Sequence, residues 1–310
     1  DVLERAVESV QRQSYGNWEL LVVDDASTDD TWRRVEKLAA NDTRIRAFRL
    51  GHQHGAAGTR NHALDKADGD IVVYLDDDVF ELPNIIQNSV EGSVAAWRLL
   101  QKGMLRGYDQ YHMIGLFTAS PYTFHNNYKT TKAADLKGKK IRAVGAVSTE
   151  SIKALGAVPE GMPFTQLVEA ISRGVIDGTT GHPIAIHDFG VVRVTNSHFL
   201  GKIGSVTLGI FMSKKKFDSL PAPAKAAIEK HKGEALSRAF GKMSEDRNAE
   251  LIAEWKKDPK RTVTVPTKEE NAAWDKVLAP VVSTWEAKDA RNKALLAAMR
   301  AELAKIRAGQ

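Results

Sequence analysis

Along the first part of this chain, apolar residues alternate between helix and strand spacing. Leu3, Val7 and Val10 recur on one helix face, which Ser14-Tyr15-Gly16-Asn17 closes. Glu19-Leu20-Leu21-Val22-Val23 is a short apolar run rich in β-formers, as a buried parallel strand requires. Ser27-Thr28-Asp29-Asp30 caps a helix through Trp32, Val35 and Leu38. Ile45, Ala47 and Phe48 predict a strand. Gly55 to Gly58 lead into a helix carrying Arg60, Asn61 and Leu64, and Asp70 to Leu75 predict a third strand. This βαβα order predicts a parallel sheet with helical crossovers.

After Trp97 the spacing predicts a helix end at Gly103 and a strand from Tyr111 to Phe117. A short helix and turn follow over Thr131 to Gly138, and Lys140 to Val144 form a strand with Arg142 near its middle. Ser148 or Thr149 caps a helix through Ile152 and Leu155 that Gly156 closes. Met162-Pro163-Phe164 reads as extended, and Thr165 caps the next helix. Gly174 to Gly178 read as a short strand that leaves into a polar loop, Thr179 to Pro183. The remainder is mostly helical. One helix runs from behind Pro221 and Pro223 through to Trp255, a strand covers Arg261 to Val265, and Thr267 and Glu270 form a capping box. Pro280 is expected to kink or interrupt the last helical pattern, whose tail is expected to fray.

Composition narrows the class. At 310 residues, with 43% hydrophobic and 27% charged residues, the chain is globular and long enough for two domains. No apolar run reaches the ~18 residues that span a bilayer. No basic n-region followed by an apolar h-region opens it. The absence of cysteine excludes disulfides, thiolate catalysis and Cys-ligated metals. Charge is split: residues 1–92 carry 10 Lys+Arg against 18 Asp+Glu, the remainder 34 against 21. The basic residues are scattered over amphipathic helices without aromatic interleaving. They read as solvated faces, and no nucleic-acid partner is expected.

Two acidic clusters stand at strand ends, Asp24-Asp25 and Asp76-Asp77-Asp78, where parallel sheets bind ligands. A bare DxD is most often an acidic loop, but paired carboxylates can also hold Mg2+ or Mn2+ against a diphosphate. VVDDASTDDT, GAAGTRNHAL and GDIVVYLDDDV, in that order and followed by Pro83, closely resemble the nucleotide-sugar-binding half of family 2 glycosyltransferases. That resemblance implies a GT-A-like partial domain over 1–92. It assigns Asp24 or Asp25 to base or ribose, Arg60 to the nucleotide, and Asp76 and Asp78 to the metal, with Asp78 the likelier ligand. Mg or Mn with a nucleotide sugar is the cofactor it implies. No acceptor half and no catalytic-base carboxylate follow Val79, so no catalytic residue is assigned. Loss of a general base removes ~10²–10⁴-fold in rate.

An arginine inside a strand must be paired if it points inward, and its fork of donors suits a carboxylate. Outward orientation or an internal acidic partner is the plainer reading of Arg142 alone. DLKGKKIRAVG, KALGAVPEGMPFTQLVEAISRGVIDG and LGIFMSKKKFDSLP, however, resemble the DctP-like solute-binding proteins of TRAP transporters. The resemblance runs from about Trp97 to about Trp285 and implies a partial periplasmic-binding-protein-like α/β lobe over 93–310. It implies that Arg142 clamps a solute carboxylate and that Phe164 lines the site. His182, with Thr180 second, supplies the polar loop contact. Tyr122, Phe124 and His125 stand where some members carry a second Arg, which favours an aromatic or otherwise apolar acid. No cofactor is implied for this part. The implied partners are a small organic acid and TRAP membrane permease subunits.

His182, His187 and His198 are too irregularly spaced for a metal set and read as loop or surface histidines. The two resemblances meet inside one helical segment near Val90 to Val94, within Leu82 to Trp97. Three readings follow. The first is a solute-binding protein with a truncated glycosyltransferase-like N-terminus, expected in the periplasm. The second is a metal-dependent glycosyltransferase, expected in the cytoplasm. The third is an inactive composite or misjoined chain.

Overall fold

A computed structural model of the chain describes residues 18–27, 29–52, 72–74, 78–109, 111–162 and 164–310, with the single positions Leu3, Val7, Val10, Gln11, His62, Ala63 and Lys66. Arg60 and Asp76 lie outside the described residues. The chain divides into two compact units, Asp1–Val72 with Met212–Asp218, and Val73–Phe211 with Ser219–Gln310.

In the first unit, β1 (Leu20–Asp24) and β2 (Ile45–Arg49) pair in parallel, with Leu20 opposite Ile45 and Asp24 opposite Arg49. The crossover is α1 (Thr31–Asn41), which buries Val35. This is the βαβ unit that the apolar pattern predicts.

From Val72 onward the principal elements are β3 (Val72–Tyr74), α2 (Asp78–Glu81), α3 (Ser89–Gln101), β4 (Tyr111–Thr118), β5 (Thr123–Asn126), β6 (Lys140–Ala143), α4 (Ala146–Ala154), β7 (Val158–Gly161), α5 (Leu167–Ser172), β8 (Gly178–Gly181), α6 (Pro183–Asp188), β9 (Ser197–Phe199), β10 (Thr207–Ser213), α7 (Ala222–His231), α8 (Glu234–Lys257), β11 (Thr262–Thr264), α9 (Lys268–Glu286) and α10 (Ala290–Arg307). One sheet has the order β3-β10-β4, the other β11-β9-β5-β8-β6-β7. In the larger sheet, β6 runs parallel to both β7 and β8, and β5 is antiparallel to β8 and β9. Arg142 faces Glu160 and Thr179 in register.

Several boundaries differ from the expectations, each for a local reason. Ser148 and Thr149 lie inside α4, which starts behind Gly145; the Thr149 hydroxyl donates to the Gly145 carbonyl instead of capping. Phe164 and Thr165 lie in a 3-10 turn, Phe164–Gln166, in place of an extended residue and a helix cap; Pro163 lies outside the described residues. The strand expected over Gly174 to Gly178 begins at Gly178, because Gly174 takes a left-handed φ of 69° and ends the preceding turn. Thr179 and Thr180 are therefore strand residues, not loop residues. The single long helix expected behind Pro221 is two, α7 and α8, broken at Gly233 with φ 101°. Pro280 sits inside an unbroken α9. The tail is not frayed: α10 buries Leu295, Leu296, Met299 and Leu303, and Arg307 grips Glu91 through two nitrogens at 2.8 and 2.9 Å.

Helix α8 is the brace of this unit. Its Ser237 accepts from the Leu116 amide, and Asn248 donates to Ser120 and accepts from Ile184. Glu245 accepts from the Ser89 amide and the Ser120 hydroxyl, both at 2.6 Å. Leu251 and Trp255 complete a small apolar core with Leu167, Ile171, Ile176, Ile186 and Val191.

Residues 78–81 are stitched into the same unit. Val79 and Phe80 are fully buried, and the Ser205 amide donates to the Phe80 carbonyl at 2.7 Å. A Cβ on Gly204 would stand 1.7 Å from the Glu81 carbonyl oxygen. Gly204→Ala is therefore expected to destabilise the protein by about 3 kcal/mol, the upper end for a methyl forced into a packed region. Urea unfolding measures this; a change under roughly 0.5 kcal/mol contradicts the packing described.

Candidate functional site

The inward face of β6 carries the most demanding group in the chain. Arg142 is buried to 7% exposure. Its Nε donates to the Met162 carbonyl at 3.1 Å, and its guanidinium lies 4.9 Å over the Phe164 ring. Nη1 is buried with no hydrogen-bond partner in the protein. Burial pulls the Arg142 pKa down from its ordinary value, while Tyr122 and Glu81 act to raise it.

β8 lies beside β6 and brings in the second group of residues. The Thr180 hydroxyl donates to the Arg142 carbonyl at 3.2 Å, so it anchors the strand pair and holds Arg142 in place. His182 follows the strand and stacks on Tyr122, with ring centroids 5.9 Å apart. Its Nδ1 is buried without a partner, and burial lowers its pKa to about 4, so the ring is neutral at pH 7. Phe164 also packs against Phe189 at 4.9 Å. Of the four residues expected from sequence, Arg142 and Phe164 touch and His182 stacks on Tyr122, while Thr180 meets only the Arg142 main chain. Glu81, which no motif marked, lies within electrostatic reach of Arg142 and Tyr122. A Cβ built on Gly145 would stand 2.9 and 3.0 Å from the two Glu81 carboxylate oxygens.

In register with Arg142 across β8 and β5 lies a buried imidazole pair. His125 and His198 are fully buried and meet Nδ1 to Nδ1 at 2.9 Å, against Trp255. His198, expected in a loop or at the surface, is instead a core strand residue, because β9 pairs with β5 and the two histidines fall in register. Gly181 presents only an acceptor, 3.1 Å from His125 Nε2, so that nitrogen carries the proton. His125 Nδ1 then accepts from His198 Nδ1–H. This leaves His198 Nε2 as an acceptor facing Arg261 Nη1 at 3.4 Å. The chain of bonds ends on the carbonyl adjacent to His182.

In the first unit, the buried Asp24 carboxylate accepts from the Ser27 amide and pairs with Arg49 Nε at 3.2 Å. Asp25 is half-buried and Asp78 is exposed at the start of α2. Among the described residues no cluster of three or more His, Asp or Glu side chains could hold a metal. No helix among them is long and apolar enough to cross a membrane.

Residues 78–289 match the bacterial extracellular solute-binding protein family 7, DctP. The chain belongs to that family. Residues 1–112 match glycosyl transferase family 2, so the two matches overlap over 78–112. The C4-dicarboxylate-binding periplasmic protein DctP of Rhodobacter capsulatus is 30% identical over 156 residues, 50% of this chain and 46% of that protein. The GalNAc(5)-diNAcBac-PP-undecaprenol beta-1,3-glucosyltransferase of Campylobacter jejuni is 41% identical over 78 residues, 25% of each chain. The chain thus spans less than half the length of either relative. The fold is that of TRAP solute-binding proteins. A benzoate complex from Rhodoferax ferrireducens superposes with a TM-score of 0.73 at 22% identity, over 94% of this chain and 99% of that one. A marine metagenome protein with 3-hydroxybenzoate gives 0.70 at 19% identity, over 93% and 99%.

The histidine pair makes stability depend on pH. Burial lowers the pKa of His125 to about 3 and of His198 to about 2. Free imidazole titrates near 6.5, so between these values the unfolded chain binds protons that the native pair refuses. Stability is expected to fall as pH drops below about 6.5, by roughly 2 kcal/mol for each ring between pH 7 and pH 5. Urea unfolding at the two pH values checks this. A His198→Asn variant flattens the dependence, and pH-independent stability in the parent chain contradicts it.

Proposed function

We propose that the chain is an extracytoplasmic solute-binding protein that takes up the carboxylate of a small organic acid on Arg142. The observation that carries this reading is the buried Nη1 of Arg142, a charged donor with no acceptor in the protein. A carboxylate oxygen supplies that acceptor and the counter-charge together. Phe164, Tyr122 and His182 form an aromatic setting, which suits an aromatic or apolar acid. The benzoate and 3-hydroxybenzoate held by the two structural neighbours agree with that preference. Thr180 fixes the strand that carries Arg142, and His182 Nδ1 offers a neutral polar contact. Delivery to the permease subunits of a TRAP transporter in the periplasm completes the reading, and this part of the chain needs no cofactor.

Benzoate is expected to raise the melting temperature of the wild-type protein and to leave Arg142→Ala unchanged. Arg142→Lys retains the charge but loses the fork, and binds at least about tenfold more weakly. Calorimetry and thermal shift measure both. Equal binding by wild type and Arg142→Ala removes the proposal.

A second reading rests on the family 2 glycosyltransferase match over 1–112. It assigns Mg2+- or Mn2+-dependent binding of a nucleotide diphosphate to Asp76 and Asp78, with Arg60 and Asp25 toward the nucleotide. Asp24 contributes less, since its carboxylate is committed to Ser27 and Arg49. Weak Mn2+-dependent binding of UDP that is lost in Asp78→Ala is the expected outcome by calorimetry. Identical heats for parent and variant remove this second reading.

A further inference from the structure

β8 connects Arg142 to the imidazole pair through consecutive residues. Thr179 stands in register between Arg142 on β6 and His125 on β5. The Thr180 hydroxyl donates to the Arg142 carbonyl at 3.2 Å. Gly181 lies at the edge of the Phe164 ring, since a Cβ built on it would stand 3.7 Å from Phe164 Cε2. The guanidinium and the ring beneath it therefore move with this strand.

His125 fixes the strand at Gly181. Its Nε2 lies 3.1 Å from the Gly181 carbonyl and 3.0 Å from the Thr123 hydroxyl, which itself reaches that carbonyl at 3.4 Å. The ring is fully buried, edge-on to Trp255 with centroids 5.7 Å apart. Its proton is directed from the far side of the pair. Arg261 Nη1 donates to the Val192 and Thr195 carbonyls and sets its charge 3.4 Å from His198 Nε2. A cation there disfavours a proton on that nitrogen, so His198 carries its proton on Nδ1 and donates to His125 Nδ1. His125 is left with one N–H, on Nε2, facing Gly181. A buried carbonyl deprived of such a donor is costly to hold in place.

We propose that His125 is a positioning residue of the solute site. By donating Nε2–H to Gly181 it holds β8, and through β8 it sets where Arg142 and Phe164 meet the solute. The proposal rests on the reading of Arg142 as the carboxylate clamp.

Calorimetry with benzoate on the full chain, together with nitrogen NMR of the imidazole rings, tests it. In wild type at pH 7 the His125 proton is expected on Nε2, and its resonance is expected to shift as benzoate saturates the site. His125→Met, which fills the space without a donor, is expected to bind benzoate about fivefold more weakly, the worth of one neutral hydrogen bond. His125→Gln, whose amide keeps a donor toward Gly181, is expected to restore most of the lost affinity. A role in bulk packing alone moves both variants alike. A folded His125→Met that binds benzoate as tightly as wild type overturns the proposal, as does a Gln variant as weak as the Met one. Where His125→Met does not fold, the wild-type spectrum decides: a proton on His125 Nδ1, or a resonance that benzoate leaves unmoved, overturns it. Each of these results leaves the Arg142 reading standing. Failure of benzoate to bind wild type removes that reading, and this proposal with it.

Discussion

A guanidinium taken out of water must recover its hydration from fixed partners, and an unmet charged donor costs more than the roughly 1–3 kcal/mol of a neutral one. Arg142 recovers only part of it, through the Met162 carbonyl and the face of Phe164. Much of the surrounding structure serves to hold it there. Thr180 ties its carbonyl to β8, and β7 covers the other edge of its strand. The incomplete satisfaction leaves a buried charged donor, and on the proposed reading a solute carboxylate brings its acceptor.

The frame behind Arg142 depends on α8. A single helix of 24 residues reaches β4, the Ser120 turn, α6 and the imidazole pair with successive side chains, Ser237, Glu245, Asn248 and Trp255. Small and polar residues dominate this face because it meets backbone and hydroxyl groups, which also explains its weak apolar pattern. The His125–His198 pair extends the same logic into the sheet. A directed chain of hydrogen bonds is satisfied only while both rings stay neutral, so the strand next to His182 is secured by groups that an acid medium would charge.

The sequence made Arg142 and Phe164 legible because both lie in short motifs at fixed spacing. Thr180 and His182 were expected in one polar loop, but Thr180 is a strand residue, since the turn falls at Gly174 and the strand begins at Gly178. The His125–His198 pair was missed because its members are joined only by strand pairing, which periodicity does not encode. Glu81 was missed for the same kind of reason. It stands in a stretch read as the end of one family's pattern, and only the close approach of Gly145 and Gly204 reveals where its carboxylate and main chain lie. Pro280 inside a continuous helix shows burial of Trp274, Leu278, Val281 and Val282 outweighing a local helix breaker. The first 92 residues read as a glycosyltransferase by motif and match that family, yet the likeness to TRAP solute-binding structures covers 94% of the chain and so takes in most of them.

The structure of the chain crystallised with benzoate tests the central claim most directly. The account predicts a carboxylate oxygen at about 2.7–2.9 Å from Arg142 Nη1, the length of a charge-assisted hydrogen bond, with the ring beside Phe164 and Tyr122. Benzoate bound elsewhere, with Nη1 still lacking an acceptor, would contradict it.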